Sequence, residues 1–508
     1  MERTQAQPHV VIVGGGIAGL AAAFYLRDEP VRVTVLEGSP RFGGKLSVSE
    51  IGGVAVDEGA EALLVTRPEG TALIAEAGLE DQRQAPGPTS SAIWTLGALR
   101  PLPRRQFMGV PSDMAELASS GVLTHDGVAR AEQDLELPGT ERDGDVSVAG
   151  FVGARLGAEV VDRLVDPLLG GVYAGRSAEL SFDATLPALA AASRRYRSLA
   201  EAAGSLLPPP SPKAPDEKAS DQKAAQPDQP AAPPDQKAGG TRSGGSVFTT
   251  LAGGLGPLPD YLAKASGAEV RMSAMARELT PGPAGWRLTV GSAAAPEIVD
   301  ADAVIIAVPA RPAGRLLGAV PGAAAAVTAL GGIGYASMAI VTLAYPRSAF
   351  PAPGLAALGR SGYLVPAVDG RTVKAVTLSS VKWPHLTQAG AEALEIVRCS
   401  VGRVGEEALL QRSDGELAAL AAAELAEATG VRGGPAATRV TRWGGALPQY
   451  TVGHLDRVAA IRAAVAGQPG LAVCGAAYDG VGIPACISTA SMAVSQVLAF
   501  LAARPPAA

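Results

Sequence analysis

A glycine-rich segment near the start of the chain is the feature that most constrains its fold. The segment reads Gly14-Gly15-Gly16-Ile17-Ala18-Gly19. It directly follows an apolar, β-branched run at residues 9–13, which is typical of a strand buried on both faces. Residues 20–27 are rich in Ala and Leu and predict a helix, and residues 31–36 predict a second buried strand. The chain therefore begins with a β-α-β unit.

The spacing of these glycines predicts a dinucleotide site. Gly14 permits the tight turn, Gly16 lets the backbone approach a pyrophosphate, and Gly19 lets the helix pack closely on the strand. The phosphates would face the free N–H groups at the positive end of the helix. Glu37 follows the second strand, 18 residues after Gly19, where a carboxylate accepts hydrogen bonds from ribose hydroxyls.

Two segments after the second strand favour FAD over a nicotinamide dinucleotide. The first is Arg41-Phe42-Gly43-Gly44-Lys45, and the second is Val56-Asp57-Glu58-Gly59-Ala60-Glu61-Ala62. The adjacent glycines of the first segment allow a second close approach of the backbone to a ligand. A nicotinamide-binding domain does not need these segments, whereas the longer FAD, threaded through the protein, does. We therefore predict FAD as the cofactor.

The composition excludes several other classes of protein. The chain has 508 residues, with 43 basic and 49 acidic side chains and a net charge of −6, so it lacks the basic character of a nucleic-acid binder. Its three cysteines form no Cys-x-x-Cys motif and its four histidines are scattered. This pattern argues against a disulfide scaffold and a metal centre. The N-terminus has no apolar signal segment, so we expect a cytoplasmic protein.

Residues 208–246 form a low-complexity segment. They contain no Val, Ile, Leu, Phe, Tyr or Trp, and the tetrapeptide Asp-Gln-Lys-Ala occurs there twice. Such a segment cannot bury enough apolar surface to offset the entropy lost on ordering. We predict a disordered insertion.

Taken together, the motifs resemble the FAD-dependent protoporphyrinogen and coproporphyrinogen III oxidase family of the flavin amine oxidase superfamily. Three further segments, at residues 165–175, 443–455 and 475–484, are similar to family motifs. Within the family, the chain looks most like the soluble branch of Gram-positive bacteria that forms coproporphyrin III. The resemblance covers essentially the whole chain except residues 208–246.

The resemblance implies an α/β fold of the glutathione-reductase and amine-oxidase type. A discontinuous Rossmann-like FAD-binding domain would comprise residues 1–90, 247–300 and 440–508. An inserted α+β substrate domain would comprise residues 91–207 and 301–439, with a helical subdomain in its first part.

The resemblance also implies site residues. The expected FAD contacts are Gly14, Gly15, Gly16, Ile17, Ala18, Gly19, Glu37, Gly38, Lys45, Gly59, Ala60, Glu61, Ala62, Val270, Trp443, Val481, Gly482 and Ile483. The substrate candidates are Arg100, Arg104, Gly171, Val172, Tyr173 and Tyr450. Flavin N5 carries hydride transfer in this family, so no side chain is singled out as catalytic. The three cysteines are interpreted as buried structural thiols.

The implied activity is the oxygen-dependent oxidation of coproporphyrinogen III to coproporphyrin III in heme biosynthesis. Six electrons are removed and three molecules of hydrogen peroxide form. The implied partners are the porphyrinogen, dioxygen and a downstream ferrochelatase, with no nucleic acid and at most peripheral membrane contact. Three alternatives stay open: a protoporphyrinogen IX oxidase, a flavin amine oxidase, and a flavin-free binding module of the same fold.

Overall fold

The computed structural model describes residues 7–87, 90–139, 142–209, 246–283, 285–387 and 393–504. The predicted insertion at 208–246 lies outside the described residues, apart from its first two positions and its last.

The first and the last of the described strands, β1 and β22, are short and belong to the same parallel sheet. The strands are β1 (His9–Val13), β2 (Arg32–Leu36), β3 (Val48–Ile51), β4 (Val54–Asp57), β5 (Leu63–Leu64), β6 (Arg83–Gln84), β7 (Ser91–Thr95), β8 (Ala98–Pro101), β9 (Gln106–Phe107), β10 (Val110–Pro111), β11 (Phe248–Leu251), β12 (Glu269–Arg271), β13 (Ala276–Gly282), β14 (Gly285–Ser292), β15 (Ala295–Ala301), β16 (Ala303–Ile306), β17 (Tyr335–Pro346), β18 (Gly362–Leu364), β19 (Val373–Leu378), β20 (Leu394–Val401), β21 (Ala437–Pro448) and β22 (Leu471–Val473).

The described helices occur along the whole chain and are most frequent before residue 206. They are α1 (Ile17–Tyr25), α2 (Pro68–Glu76), α3 (Met114–Ser120), α4 (His125–Glu132), α5 (Val148–Leu156), α6 (Ala158–Val160), α7 (Asp166–Tyr173), α8 (Phe182–Thr185), α9 (Pro187–Ser193), α10 (Leu199–Ser205), α11 (Leu258–Ser266), α12 (Ala310–Leu317), α13 (Ala324–Gly331), α14 (Ser379–Lys382), α15 (Asp414–Thr429), α16 (His454–Ala466) and α17 (Ile483–Ala503). A π-helical turn, Val161–Val165, joins α6 to α7.

The predicted β-α-β unit is present and forms the centre of a parallel sheet in the order β12-β2-β1-β16-β22. Val10, Val11 and Ile12 of β1 are fully buried, because helices cover both faces of the sheet. Helices α1, α11 and α17 pack on one face, and α12, α13 and α16 pack on the other. The predicted α/β fold is thereby confirmed.

The C-terminal helix α17 is a core element. It is long and apolar enough to cross a membrane by length and composition. Its buried residues nevertheless pack against α1 and β22 within the core of the sheet. An apolar core helix accounts for the same composition.

A second, mostly antiparallel sheet has the order β21-β17-β20-β19-β18-β7-β8. Its side chains alternate between two environments, as the two-residue period of a strand requires. Val376 and Val397 pack with α15 in an apolar core, whereas Ala375, Thr377 and Ser400 face a cavity between the two sheets. The second sheet therefore supplies one wall of the candidate site.

Two strands do not follow the predicted domain boundaries, and the division into domains stays a prediction. Strand β16, residues 303–306, falls within the range assigned to the substrate domain, yet it lies between β1 and β22 in the parallel sheet. Strand β21 likewise crosses the predicted boundary at residue 440 and pairs with β17 of the second sheet. Local sequence patterns did not place these strands, because sheet membership depends on pairing between distant segments.

A buried ion pair joins the helices of residues 114–205. Nε of Arg155 donates to Oδ1 of Asp134 at 2.5 Å, and both side chains are almost completely inaccessible to solvent. The other carboxylate oxygen of Asp134 accepts hydrogen bonds from Oγ of Ser198 at 2.7 Å and N of Ala200 at 2.9 Å. One carboxylate thus links the end of α4, helix α5 and the start of α10.

We expect Asp134→Asn to lower the free energy of unfolding by roughly 3 kcal/mol, because it leaves the buried Arg155 charge without its counterion. Chemical denaturation followed by circular dichroism measures this change. The control, Asp300→Asn, breaks an exposed pair with Arg287 and should alter stability little. Equal stability of the two variants would show that other groups compensate Arg155.

Candidate functional site

A cavity of about 670 Å³ lies between the parallel sheet and the second sheet. The turn after β1, residues 307–309 after β16 and residues 475–477 after β22 contribute to its wall. The carboxyl ends of parallel strands meet at one edge of a sheet, and such an edge is where ligands bind in α/β folds. The cavity is therefore the candidate functional site.

The glycine turn has the geometry that its spacing predicted. A Cβ at Gly14, where φ is +111°, would lie 2.8 Å from the carbonyl oxygen of Ala307. A Cβ at Gly19 would collide with the carbonyl oxygen of Gly14. At Gly16, in contrast, no heavy atom lies within 4 Å of the Cβ position, and this residue lines the cavity. The turn thus packs tightly against the protein and leaves its Gly16 side open to a ligand.

Glu37 is fixed at the end of β2. Its Oε2 accepts a hydrogen bond from N of Gly15 at 2.8 Å, and its Oε1 accepts one from N of Ser39 at 2.8 Å. The side chain also lines the cavity. Because a carboxylate has about four acceptor positions, Glu37 can accept further hydrogen bonds from hydroxyl groups.

A charged cluster forms part of the opposite wall. Oε1 of Glu61 accepts from Nζ of Lys382 at 2.7 Å, and its Oε2 accepts from Nη1 of Arg398. Nη2 of Arg398 donates to the carbonyl oxygen of Gly59 at 2.6 Å. Burial alone would raise the pKa of Glu61, but the charges and hydrogen bonds of Lys382 and Arg398 lower it to about 2. Glu61 is therefore ionised throughout the neutral range.

Two further groups with shifted pKa values lie at the cavity. Burial lowers the pKa of Lys45 and raises the pKa of the Cys486 thiol to about 11. Cys486 is consequently a protonated thiol near neutral pH. Cys399, Cys474 and Cys486 are all buried and free.

Most of the predicted cofactor contacts come together at the cavity, with two of the predicted substrate residues. The cofactor contacts that line it are Gly14, Gly16, Ile17, Ala18, Glu37, Lys45, Gly59, Ala60, Glu61, Ala62, Trp443, Val481, Gly482 and Ile483. The substrate candidates that line it are Gly171 and Val172 of α7.

Other predicted contacts lie behind the cavity wall. Gly15 donates its N–H to Glu37, Gly19 packs against Gly14, and Gly38 lies beneath Met275. Val270 pairs with Val35 within the parallel sheet. These residues pack against the residues that line the cavity. The sequence motif does not show which of its members line the cavity and which pack behind it.

The remaining substrate candidates are also displaced from the cavity. Tyr173 and Tyr450 are buried and packed against each other, with ring centroids 5.5 Å apart. Nε of Arg100 lies 3.4 Å from the carbonyl oxygen of Thr95 on its own hairpin, and Arg104 is exposed and donates its backbone N–H to Glu116. None of these four residues lines the cavity, and their assignment as substrate contacts stays a prediction.

Sequence reasoning missed part of the wall. The lining residues that were not among the predicted contacts or in the Arg41–Lys45 motif are Leu46, Ala307, Val308, Pro309, Tyr335, Met338, Ile340, Ala375, Thr377, Arg398, Ser400, Ala446, Leu447, Gly475, Ala476, Ala477 and Cys486. Residues 307–309 carried a usable signal, since they directly follow a buried apolar strand. The residues of the second sheet carried none, because only the pairing of distant strands shows which face they occupy.

The residues present fit FAD. The open side of Gly16 offers space for a pyrophosphate, Glu37 offers acceptors for ribose, and the mostly apolar wall suits a flat ring system. Gly14, Gly16, Glu37 and Lys45 would hold the dinucleotide, and Trp443 would contribute to the wall.

We expect Gly16→Val to weaken FAD binding by tenfold or more, because its side chain would occupy the open side of the turn. Apoprotein titrated with FAD, followed by flavin fluorescence, measures the change. Gly415→Val is the control, since Gly415 also has no heavy atom within 4 Å of the Cβ position but lies exposed on α15. Unchanged FAD affinity in Gly16→Val would contradict the assignment of the turn.

Comparison with known proteins agrees with this geometry. Residues 17–498 match the model of the family described as flavin containing amine oxidoreductase. Coproporphyrinogen III oxidase of Mycobacterium tuberculosis (strain ATCC 25618 / H37Rv) is 38% identical over 500 residues, covering 97% of this chain and 98% of that protein. Coproporphyrinogen III oxidase of Bacillus subtilis (strain 168) is 30% identical over 501 residues, with 97% and 98% covered.

A solved structure is similar over the same length. The crystal structure of a putative protoporphyrinogen oxidase from Exiguobacterium sp. 255-15 has a TM-score of 0.78 and 27% sequence identity, covering 97% of this chain and 100% of that chain. The predicted fold and the predicted FAD cofactor are confirmed by these matches. The chain belongs to the family of flavin-containing amine oxidoreductases and is an FAD-dependent enzyme.

Proposed function

We propose that this enzyme oxidises coproporphyrinogen III to coproporphyrin III. The observation that carries the proposal is the match along nearly the whole chain to relatives named coproporphyrinogen III oxidase, at 38% identity in the Mycobacterium tuberculosis protein. The cavity agrees with this substrate, because a mostly apolar space between two sheets suits a large macrocycle.

The reaction balances with dioxygen as the oxidant. One coproporphyrinogen III and three dioxygen molecules give one coproporphyrin III and three hydrogen peroxide molecules, with six electrons and six protons transferred. When bound, FAD would supply two-electron acceptor chemistry, which the reaction needs three times for each porphyrinogen, with dioxygen as the final oxidant. No histidine lines the cavity within the described ranges.

The chain's own residues position the macrocycle and exclude water. Met338, Ile340 and Val172 give the wall an apolar surface. Glu61 is held by Lys382 and Arg398, so its negative charge is balanced at the wall. We propose that Gly171 and Val172 contact the substrate, because α7 packs on the second sheet beside Leu364 and presents both residues to the cavity.

The proposal extends to organisation and context. The parallel sheet with the glycine turn would form the cofactor part, and the second sheet with the helices of residues 114–205 would form the substrate part. We further propose that the enzyme acts in the cytoplasm. A ferrochelatase would then receive the product, since coproporphyrin III is a metal-free porphyrin ready for iron insertion.

A second candidate is the oxidation of protoporphyrinogen IX. The Exiguobacterium structure carries the name putative protoporphyrinogen oxidase, and it is 27% identical to this chain. The two substrates share the macrocycle and differ in the number of propionates, so the same cavity chemistry would serve both.

We expect a faster gain of porphyrin fluorescence with coproporphyrinogen III than with protoporphyrinogen IX when each meets the purified holoenzyme in air. Reactions without enzyme correct for spontaneous oxidation, and peroxide should form at three molecules per porphyrin. A preference for protoporphyrinogen IX would select the second candidate. Background rates with both substrates would overturn the porphyrinogen assignment.

We expect Val172→Phe to lower kcat/KM for coproporphyrinogen III by about tenfold with unchanged FAD content, because the added ring occupies substrate space. Val172 is 40% exposed and faces the cavity. Val368→Phe is the matched control, since Val368 is 54% exposed but is not among the residues that line the cavity. Equal kinetics of both variants would remove α7 from the substrate site.

A further inference from the structure

The segment that joins β22 to α17, residues 475–482, forms one side of the cavity and has no regular secondary structure of its own. Gly475, Ala476 and Gly482 are among its cavity-lining residues. Its backbone is tightly turned, with φ values of +116° at Gly475 and +136° at Gly480. Its shape therefore depends on hydrogen bonds from neighbouring elements.

The hydroxyl group of Tyr450 supplies two of these hydrogen bonds. It donates to the carbonyl oxygen of Ala476 at 2.7 Å and accepts from N of Gly480 at 2.8 Å. Tyr450 is 1% exposed, so water does not compete for either bond. One hydroxyl group thus fixes two points of the segment.

Tyr450 is itself held from several directions. Its carbonyl oxygen accepts from N of Ser181 at 2.7 Å, and the ring of His454 stacks on its ring with centroids 3.7 Å apart and an interplanar angle of 13°. Burial lowers the pKa of His454 to about 4, so this imidazole is neutral and its Nε2 donates to the carbonyl oxygen of Tyr478 at 3.2 Å. The hydroxyl group of Tyr450 therefore has a fixed position.

The same tyrosine connects the segment to the substrate side. Its ring contacts Tyr173 at the end of α7, the helix that presents Gly171 and Val172 to the cavity. Nε2 of the preceding residue, Gln449, donates to the carbonyl oxygen of Tyr173 at 2.7 Å. The end of β21 is thus packed between α7 and the segment 475–482.

We infer that Tyr450 is a positioning residue for the cofactor, which acts through the segment 475–482 and touches neither FAD nor substrate. Without its hydroxyl group, the N–H of Gly480 and the carbonyl group of Ala476 lose their partner in a buried position, and the cavity wall changes shape. The inference concerns FAD, and so it does not depend on which porphyrinogen the enzyme oxidises.

Tyr450→Phe tests the inference, because it removes both hydrogen bonds and keeps the ring. We expect the Kd of the apoprotein for FAD to rise by about tenfold, given that a net hydrogen bond is worth on the order of 1 kcal/mol. The visible absorption spectrum of bound flavin should change as well. Tyr363→Phe is the control, since the Tyr363 hydroxyl group is also buried and has no hydrogen-bond partner among the described residues.

Hydrogen exchange of the holoprotein gives an independent readout. Protection of the Gly480 amide should fall in Tyr450→Phe and stay unchanged in Tyr363→Phe, even if the apoprotein of one variant is less stable. A Tyr450→Phe protein with wild-type FAD affinity, flavin spectrum and amide protection would overturn the inference. An equal loss in both variants would also overturn it. No porphyrinogen enters these measurements, so their failure is distinguishable from failure of the proposed function.

Discussion

The close approach of Gly19 to the carbonyl group of Gly14 is the contact on which the rest of the site depends. It seats the first turn of α1 against the end of β1, since no side chain larger than hydrogen fits there. The N-terminal end of α1 is thereby fixed at the edge of the sheet. The loop that follows β2 then docks on this turn, because N of Gly43 donates to the carbonyl oxygen of Gly15 at 2.7 Å. Contacts between backbone atoms therefore shape the part of the cavity beside the glycine turn.

The cofactor half of the site could be predicted from sequence because its signals are local. Gly14, Gly16, Glu37 and Lys45 lie within one short stretch, and the chemistry of dinucleotide binding fixes their spacing. The other wall could not be predicted in the same way. Arg398 lies within an apolar strand, and its role follows from the pairing of β20 with β17 and β19. Such pairings join residues far apart in the chain, and their register decides which side chains face the cavity.

Residue type alone does not show where a side chain lies in the fold. Arginine suits a substrate with propionates, and Arg100 and Arg104 were plausible for that reason. Both lie on the hairpin and loop before α3. There the side chain of Arg100 lies beside the carbonyl oxygen of Thr95, and the backbone N–H of Arg104 donates to Glu116. Tyr450 belongs to a family-like motif, but the motif records a contribution to the site without saying whether the side chain touches a ligand. Burial and hydrogen-bond partners supply that distinction, and neither can be read from a single sequence.

Two ionisable groups at the cavity are poorly suited to proton transfer near neutral pH. The negative charge of Glu61 is balanced by the positive charges of Lys382 and Arg398, and Cys486 keeps its proton. An ionised carboxylate with a pKa near 2 is a weak base, and a thiol with a pKa near 11 is a weak acid. These groups are therefore suited to fixing the shape and potential of the cavity. Under the proposed function, specificity for the macrocycle would arise on the part of the wall formed by α7 and the second sheet, whereas the glycine turn would serve any flavin enzyme equally.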